Sequence, residues 1–170
     1  MIKRIAFSAV FLTLLLILQS TWLGFMSISS VIPDLATLAL VYISFKSPGM
    51  QGQITGFICG LLQDGVSAAP FGLNAFVKTI LAWFFNMISG RFQIDRIVMP
   101  TVFGFSATIG KNILIRMLSL IFPQHILIHE LTQSKMWIES AYNGIIAPLF
   151  FLMMGLIDRF ILPWDSLHDR

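Results

Sequence analysis

The sequence predicts an all-α integral membrane protein, a polytopic bundle of six transmembrane helices. Hydrophobic residues make up 56% of the 170 residues and charged residues only 11%, whereas soluble domains carry roughly 25% charged residues. The mean hydropathy is +0.84. A chain this small exposes much of its surface, and so few charges cannot keep that surface hydrated. These values exclude a soluble fold, and they exclude disorder, which requires low hydrophobicity and high charge.

The first helix is predicted at about residues 5–26. The sequence carries no charge between Ile5 and Pro33, and one membrane crossing needs roughly 20 apolar residues. Lys3-Arg4 precede this stretch, as they would precede a signal peptide or a signal anchor. The apolar stretch is longer than a signal-peptide core, so we expect the helix to be retained.

The second and third helices, predicted at about 33–45 and 50–67, are short. Pro33-Asp34 suits a helix start, because proline fits the first turn and a carboxylate complements the positive end of the helix dipole. Lys46-Ser47-Pro48-Gly49 is a turn signal between the two helices. Because both are shorter than an ordinary span, we expect them to be tilted, partly interfacial or re-entrant.

The fourth helix is predicted at about 71–89 and the fifth at about 97–122, with Pro100 in its first turn. A polar hairpin at 123–135 leads to the sixth helix, at about 137–160. The count is therefore six crossings, with five as the alternative. Residues 1–170 are predicted to form a single transmembrane domain without a soluble module.

The basic residues predict the orientation, because cytoplasmic segments of membrane proteins are enriched in Lys and Arg. With six crossings and the N-terminus inside, seven of the eleven Lys and Arg fall in cytoplasmic segments: Lys3, Arg4, Lys46, Arg91, Arg96, Arg159 and Arg170. The outer segments hold only Lys135. Both termini are therefore predicted to be cytoplasmic. Trp22, Trp137 and Trp164 fit interface positions, whereas Trp83 falls within a helix and does not fit.

Small residues predict close helix packing in the third helix. Gly52, Gly56 and Gly60 recur every four residues, and such a doubled GxxxG stripe lets another helix approach closely. The stripe packs either within the chain or against a partner subunit. The sixth helix repeats the pattern more weakly with Ser140 and Gly144.

Charges at membrane depth are the strongest functional signal, because each is costly unless it is paired or hydrated. Three basic and three acidic residues fall there: Lys78, Lys111, Arg116, Asp34, Asp64 and Glu139. They form internal ion pairs, or line an outward polar cavity that binds a ligand or a partner segment, or belong to a proton or ion pathway. The short turn between Asp64 and Lys78 favours a pair between these two.

Enzyme motifs are incomplete. His129-Glu130 begins a zinc-protease motif, but Gln133 stands where the second His is required. Gly104-Phe105-Ser106 is followed by Ala107 instead of the Gly of an intramembrane serine protease. Cys59 lies among apolar neighbours and is interpreted as inert packing. We expect no enzyme activity, no cofactor and no metal, and the net charge of +3 suits anionic lipid better than nucleic acid.

Several segments resemble the MreD family of bacterial rod-shape-determining membrane proteins. They are Pro33-Asp34-Leu35, Gly56-Phe57 with Gly60-Leu61-Leu62-Gln63-Asp64, Pro70-Phe71-Gly72-Leu73-Asn74-Ala75, and Asn143-Gly144-Ile145-Ile146-Ala147-Pro148-Leu149. The similarity covers the whole chain in length, helix count and order of motifs. The central block around Asp64 and Asn74 is the most specific part. Lys78, Lys111 and Arg116 depart from the family pattern, so the resemblance assigns them no role.

The resemblance implies a non-enzymatic subunit of the cell-elongation machinery in the bacterial inner membrane. Family members associate with MreC, a bitopic protein, and connect with the elongation transpeptidase, RodA and MreB filaments, directly or through other subunits. The resemblance also implies a fold similar to the substrate-binding subunits of energy-coupling-factor transporters.

Two functions follow as hypotheses. The first is a scaffold that binds the MreC transmembrane helix, either on the Gly52, Gly56 and Gly60 face or at a polar cluster of Asp34, Asp64 and Asn74. The alternative is a small-molecule (vitamin) binding subunit of a membrane transporter. In such subunits the first helix carries an Ala-x-x-x-Ala stripe, and here Ala6 is followed by Val10 and Ala9 by Thr13. The missing stripe favours the scaffold.

Overall fold

The computed structural model describes residues 2–22, 31–47, 49–67, 69–89, 95–121 and 133–161. Within these ranges lie six α-helices: α1 (Ile2–Trp22), α2 (Leu35–Lys46), α3 (Gln51–Val66), α4 (Leu73–Ile88), α5 (Val98–Ile121) and α6 (Gln133–Ile161). The helices follow the predicted order. The predicted hairpin at 123–135 is shortened, because its last three residues already belong to α6.

Several residues on which the predicted orientation depends lie outside the residues whose side chains the structure describes. This concerns the basic residues Lys3, Arg4, Arg91, Arg159 and Arg170 and the tryptophans Trp22 and Trp164. Two helical stretches, Val98–Ile121 and Ser134–Ile157, are long and apolar enough to cross a membrane. The chain is therefore an all-helical protein with at least these two candidate spans, and the count of six crossings stays a prediction.

Helix α2 forms the centre of the bundle. Every residue from Ala36 to Phe45 is buried, and α2 contacts each of the other five helices. Its sequence is apolar on all sides, and a helix that is hydrophobic all round is one that is buried. This burial places α2 inside the bundle, and whether α2 is tilted, partly interfacial or re-entrant stays a prediction.

Two antiparallel hairpins, α3–α4 and α5–α6, pack around α2, and α1 lies against α2 and α3. Near the C-terminal end of α2, aromatic rings join these units: Phe45 and Phe103 have ring centroids 5.0 Å apart, and Tyr42 and Phe151 5.1 Å apart. Near the N-terminal end of α2 the contacts are polar instead. Aromatic and polar contacts therefore both hold α2 within the bundle.

The outside of the bundle is strongly apolar. Large hydrophobic side chains are exposed on five helices, for example Leu14, Phe57, Trp83, Leu120 and Leu149. Exposed apolar area of this extent is unusual for a soluble monomer and marks a membrane or protein contact surface. This surface suits a protein that is surrounded by lipid.

Candidate functional site

Asp34 is the residue at which α2 begins. It occupies the N-cap, and its carboxylate accepts hydrogen bonds from the Thr37 backbone N–H at 3.0 Å and from the Thr37 hydroxyl at 2.8 Å. A carboxylate at the N-cap accepts a hydrogen bond from a backbone N–H of the first turn that has no partner within the helix. It also faces the positive end of the helix dipole. The expectation that Asp34 complements the start of a helix is confirmed, whereas Pro33 precedes the N-cap and lies outside the first turn.

Lys111 of α5 joins Asp34 to a second carboxylate. Its Nζ lies 2.8 Å from Asp34 Oδ2 and 2.5 Å from Oε1 of Glu139 on α6. The side chains of Lys111, Asp34 and Glu139 are 17%, 12% and 18% exposed, respectively. A charge buried to this degree is tolerated when opposite charges and hydrogen bonds satisfy it. Internal ion pairs were one of the three sequence-based interpretations, and these three residues form them.

Amide and hydroxyl groups close the ion pairs into a ring. Asn112 donates from Nδ2 to Oε2 of Glu139 and to the carbonyl of Thr108, each at 3.0 Å. Asn143 donates from Nδ2 to Thr108 Oγ1 at 2.9 Å. Its Oδ1 accepts from the Asp34 backbone N–H at 2.9 Å. We call this set the polar ring: Asp34, Thr108, Lys111, Asn112, Glu139 and Asn143.

The polar ring ties the start of α2 to both helices of the α5–α6 hairpin. Asn143 is fully buried, and Thr108 is 1% exposed. Polar groups with little access to water must find partners within the protein, and a fully satisfied network favours one arrangement of the helices. The polar ring therefore fixes the register of α2 against α5 and α6.

Asp64 has a different role from the predicted one. Its carboxylate accepts hydrogen bonds from the backbone N–H groups of Gly72, Asn74 and Ala75 at 2.9, 3.0 and 3.2 Å, and from Asn74 Nδ2 at 2.8 Å. Gly72 is the N-cap of α4 with φ +97°, a backbone conformation that glycine adopts without strain. Asp64 thus binds the start of α4. The predicted pair with Lys78 is wrong, because four N–H groups surround the carboxylate instead.

Lys78 points into the bundle from the second turn of α4. It is 3% exposed, and its Nζ lies 3.5 Å from Cys59 Sγ. Cys59, predicted to be inert packing, is fully buried and is also the hydrogen-bond acceptor of this ammonium group. The sequence predicts Lys78 at membrane depth but does not identify this neighbour.

Arg116 differs in burial from the three charges of the ion pairs. Its side chain is exposed on α5, and its backbone carbonyl accepts a hydrogen bond from the Ser119 hydroxyl at 2.7 Å. The structure thus gives the charges predicted at membrane depth different surroundings, with Lys78 beside Cys59. Asp34, Lys111 and Glu139 come together, Asp64 caps α4, and Arg116 lies on the surface of the bundle.

The glycine stripe of α3 is occupied by helices of the same chain. A Cβ on Gly60 would lie 2.3 Å from the Cα of Ala75 in α4, and one on Gly52 would lie 2.8 Å from the Cα of Ser44 in α2. Gly56 lies against α4 and α2 as well. Backbones approach this closely only where no side chain separates them. The alternative in which a partner helix packs on this face is wrong, because α2 and α4 already fill it.

The C-terminal end of α2 is held by side chains that the sequence analysis did not identify. Asn86 of α4 donates from Nδ2 to the carbonyls of Ser44 and Ser47 at 3.1 and 2.7 Å. The Ser89 hydroxyl donates to the carbonyl of Phe45. Carbonyls in the last turn of a helix lack partners within the helix, so α4 caps the end of α2.

A groove runs beside this contact on the outside of the bundle. We call it the α3–α4 groove, and it is lined by Gly49, Met50, Gln53, Thr79, Ile80, Trp83 and Asn86. Trp83, which does not fit an interface position in the sequence, is 54% exposed here. The groove therefore combines an exposed indole ring with three polar side chains.

Thr108, Asn112, Asn86 and Ser89 are polar residues that the sequence did not single out. In membrane helices, amide and hydroxyl side chains commonly bond to a neighbouring helix. The presence of such groups in predicted membrane helices is the signal that could have identified these residues. In the described part of the chain, no group of three His, Cys, Asp or Glu side chains comes together as a metal site.

The comparisons with known proteins agree with the motifs. The family profile described as rod shape-determining protein MreD matches residues 1–157. Neither a curated protein nor a solved structure matches the chain. The matched range includes Asp34, Asp64, Asn74 and Asn143, whose side chains cap helices or join them. The chain belongs to the MreD family of rod shape-determining membrane proteins.

Proposed function

We propose that this protein is a non-enzymatic scaffold of the bacterial cell-elongation machinery. It resides in the inner membrane as one domain with six crossings and both termini in the cytoplasm. It binds MreC and links peptidoglycan synthesis outside to MreB filaments inside. The observation that carries the proposal is the family match over residues 1–157. No observation favours the alternative of a vitamin-binding transporter subunit.

The contacts of the motif residues support a scaffold. Asp34 and Asp64 start α2 and α4, and Asn143 bonds α6 to the start of α2. The side chains of Asp34, Asp64, Asn74 and Asn143 are thus used for contacts within the chain. A bundle whose helices are fixed to one another in this way presents its outer surfaces in a constant arrangement, which is what a scaffold requires.

The length of α2 indicates the depth of the polar ring in this topology. Twelve residues extend about 18 Å at 1.5 Å per residue, and the hydrocarbon core is about 30 Å thick. With Lys46 at the cytoplasmic interface, Asp34 lies about 12 Å below the outer boundary. In the proposed topology the polar ring therefore lies in the outer half of the membrane, close to its midplane.

We propose that MreC binds at the α3–α4 groove. The glycine stripe and the caps around Asp34 and Asp64 are occupied within the chain, so the two contact sites expected from the sequence are not available. Phe76, Trp83 and Met87 lie on one exposed face of α4 beside the groove. Aromatic and Met side chains are enriched at the centres of protein interfaces, and a partner helix supplies hydrogen-bond donors that lipid tails lack.

Depletion of the protein in its rod-shaped host tests the proposed function. Depleted cells are expected to become spherical, and expression of the intact chain is expected to restore rods. A vitamin requirement with normal cell shape would instead support the transporter alternative.

Copurification of MreC tests the proposed contact site. Trp83→Ala removes a large side chain from the groove and is expected to reduce the recovered MreC several-fold at equal membrane levels of the bundle. Leu149→Ala is the matched control, because Leu149 is 65% exposed on α6, away from the groove. Equal loss of MreC in both variants, or in neither, would rule out the groove as the specific contact.

A further inference from the structure

We propose that the α3–α4 groove binds a basic side chain, Lys or Arg, at the cytoplasmic end of the partner's transmembrane helix. The cationic group lies over the indole ring of Trp83 and donates hydrogen bonds to the amide oxygens of Gln53 and Asn86. This inference rests on the proposed function, in which the groove is the contact for MreC. It adds the chemistry that the groove selects in its partner.

The Asn86 amide leaves an acceptor for the partner. Both of its N–H groups are used within the chain, because Nδ2 donates to the carbonyls of Ser44 and Ser47 at 3.1 and 2.7 Å. These two bonds also fix which way the amide is oriented. The polar atom that remains is the carbonyl oxygen Oδ1, which accepts hydrogen bonds and cannot donate them.

The other two polar side chains of the groove follow the same pattern. The Gln53 amide nitrogen donates to the carbonyls of Met50 and Gly49 at 3.0 and 3.2 Å. The Thr79 hydroxyl donates to the carbonyl of Ala75 at 2.7 Å. Each side chain thus directs its hydrogens to a backbone carbonyl and keeps oxygen lone pairs. The groove therefore complements a partner group that donates hydrogen bonds.

Trp83 adds an aromatic face to these acceptors. Its side chain is 54% exposed, and it lies three residues before Asn86 on α4. The indole ring attracts cations more strongly than the other aromatic side chains do, within about 6 Å of the ring centroid. Among the described residues that line the groove, none carries a charge. A cation for this site must therefore come from a binding partner.

The side chains of Lys and Arg fit this site better than a lipid headgroup. Both are positively charged and carry donors without acceptors. An amine headgroup of a phospholipid carries a phosphate beside its ammonium group, and the phosphate oxygens require donors. Among the described side chains that line the groove, only the Trp83 indole N–H is a donor without a bond to a carbonyl.

The position of the groove also suits a basic side chain. Asn86 bonds to carbonyls on both sides of Lys46, which lies at the cytoplasmic interface in the proposed topology. Lys and Arg are enriched at the cytoplasmic ends of membrane-spanning helices. A partner helix that crosses the membrane beside α4 therefore brings such a residue to the level of Asn86.

Charge variants of Gln53 test the proposal through the amount of MreC that copurifies with the full-length protein from host membranes. Gln53→Glu keeps the oxygen acceptors and adds a negative charge, so recovery of MreC is expected to rise about 2–5-fold. Gln53→Lys adds a positive charge and is expected to lower it by a similar factor. The same two substitutions at Gln51, in the same turn of α3 but outside the groove lining, are the matched controls. They are expected to change recovery less.

Variants of MreC identify the cation. Each Lys and Arg at the cytoplasmic end of its transmembrane helix is changed to Gln, one at a time. One of these changes is expected to abolish the gain from Gln53→Glu. With wild-type MreC, Trp83→Phe keeps an aromatic face and is expected to retain more MreC than Trp83→Leu. This difference is expected to shrink once the MreC cation is removed.

Two results would overturn the basic side chain. The first is a recovery of MreC with Gln53→Glu that does not exceed the recovery with Gln53→Lys. The second is a gain that no Lys or Arg substitution in MreC abolishes, which would assign the cation to another molecule, such as an amine lipid. Trp83→Ala separates these results from failure of the contact itself. Unchanged recovery in Trp83→Ala would remove the groove as the MreC contact, whereas reduced recovery without charge dependence at Gln53 would refute only the basic side chain.

Discussion

Substitution of Gly60 by Ala tests the closest helix contact in the bundle. A Cβ at Gly60 would lie 2.3 Å from the Cα and 2.5 Å from the N of Ala75. Carbon atoms in favourable contact are about 3.5–4.0 Å apart. The neighbouring atoms are backbone, so they cannot rotate away as the end of a flexible side chain does. The start of α4 must therefore move by about 1 Å or more.

This movement has two energetic consequences. Overpacking of a close contact costs about 1–3 kcal/mol. The displaced segment also carries the N–H groups that Asp64 binds at 2.9–3.2 Å, and loss of a helix cap costs about 1 kcal/mol. The sum is roughly 2–4 kcal/mol, which lowers the melting temperature by roughly 5–15 °C for a chain of this size.

Gly65→Ala is the matched control on the same helix. Nothing lies within 4 Å of the Cβ position at Gly65, so the substitution is expected to be neutral or to stabilise the helix by up to about 1 kcal/mol. Thermal unfolding of both purified variants makes the comparison. A melting temperature for Gly60→Ala equal to that of the wild type would refute the close approach of α3 and α4. Equal destabilisation by Gly65→Ala would show that the effect is not specific to the contact.

Two further substitutions test the polar contacts. Asn143→Ala leaves the buried Asp34 backbone N–H without its acceptor, which is expected to lower the free energy of unfolding by about 1–3 kcal/mol. Thermal unfolding measures this loss of stability. A melting temperature equal to that of the wild type would contradict the polar ring. Asp64→Ala removes the acceptor of four N–H groups at the start of α4. Faster amide hydrogen exchange at Asn74 and Ala75 is expected, together with a loss of about 1–2 kcal/mol. Unchanged exchange at these amides would contradict the cap.

The sequence predicted the elements of this protein well because the relevant signals are local. Hydropathy and turn residues located six helices, and Pro33-Asp34 marked the start of α2 as the structure has it. Gly72 and Asp64 belong to the most specific family motif, and the structure explains them together as the start of α4. Each of these features depends on residues within about a dozen positions of one another.

Pairings between helices were decided only by the tertiary structure. Lys111 meets Asp34 across 77 positions, and Lys78 contacts Cys59 rather than the nearby Asp64. Such pairs depend on how far each helix rotates about its own axis and slides along its neighbours. In helices that are apolar on every side, periodicity does not specify that rotation, because no polar face identifies the outside. The sequence by itself therefore determined the membrane class, the helices and the family, whereas the packing of α2 between two hairpins decided which charges meet.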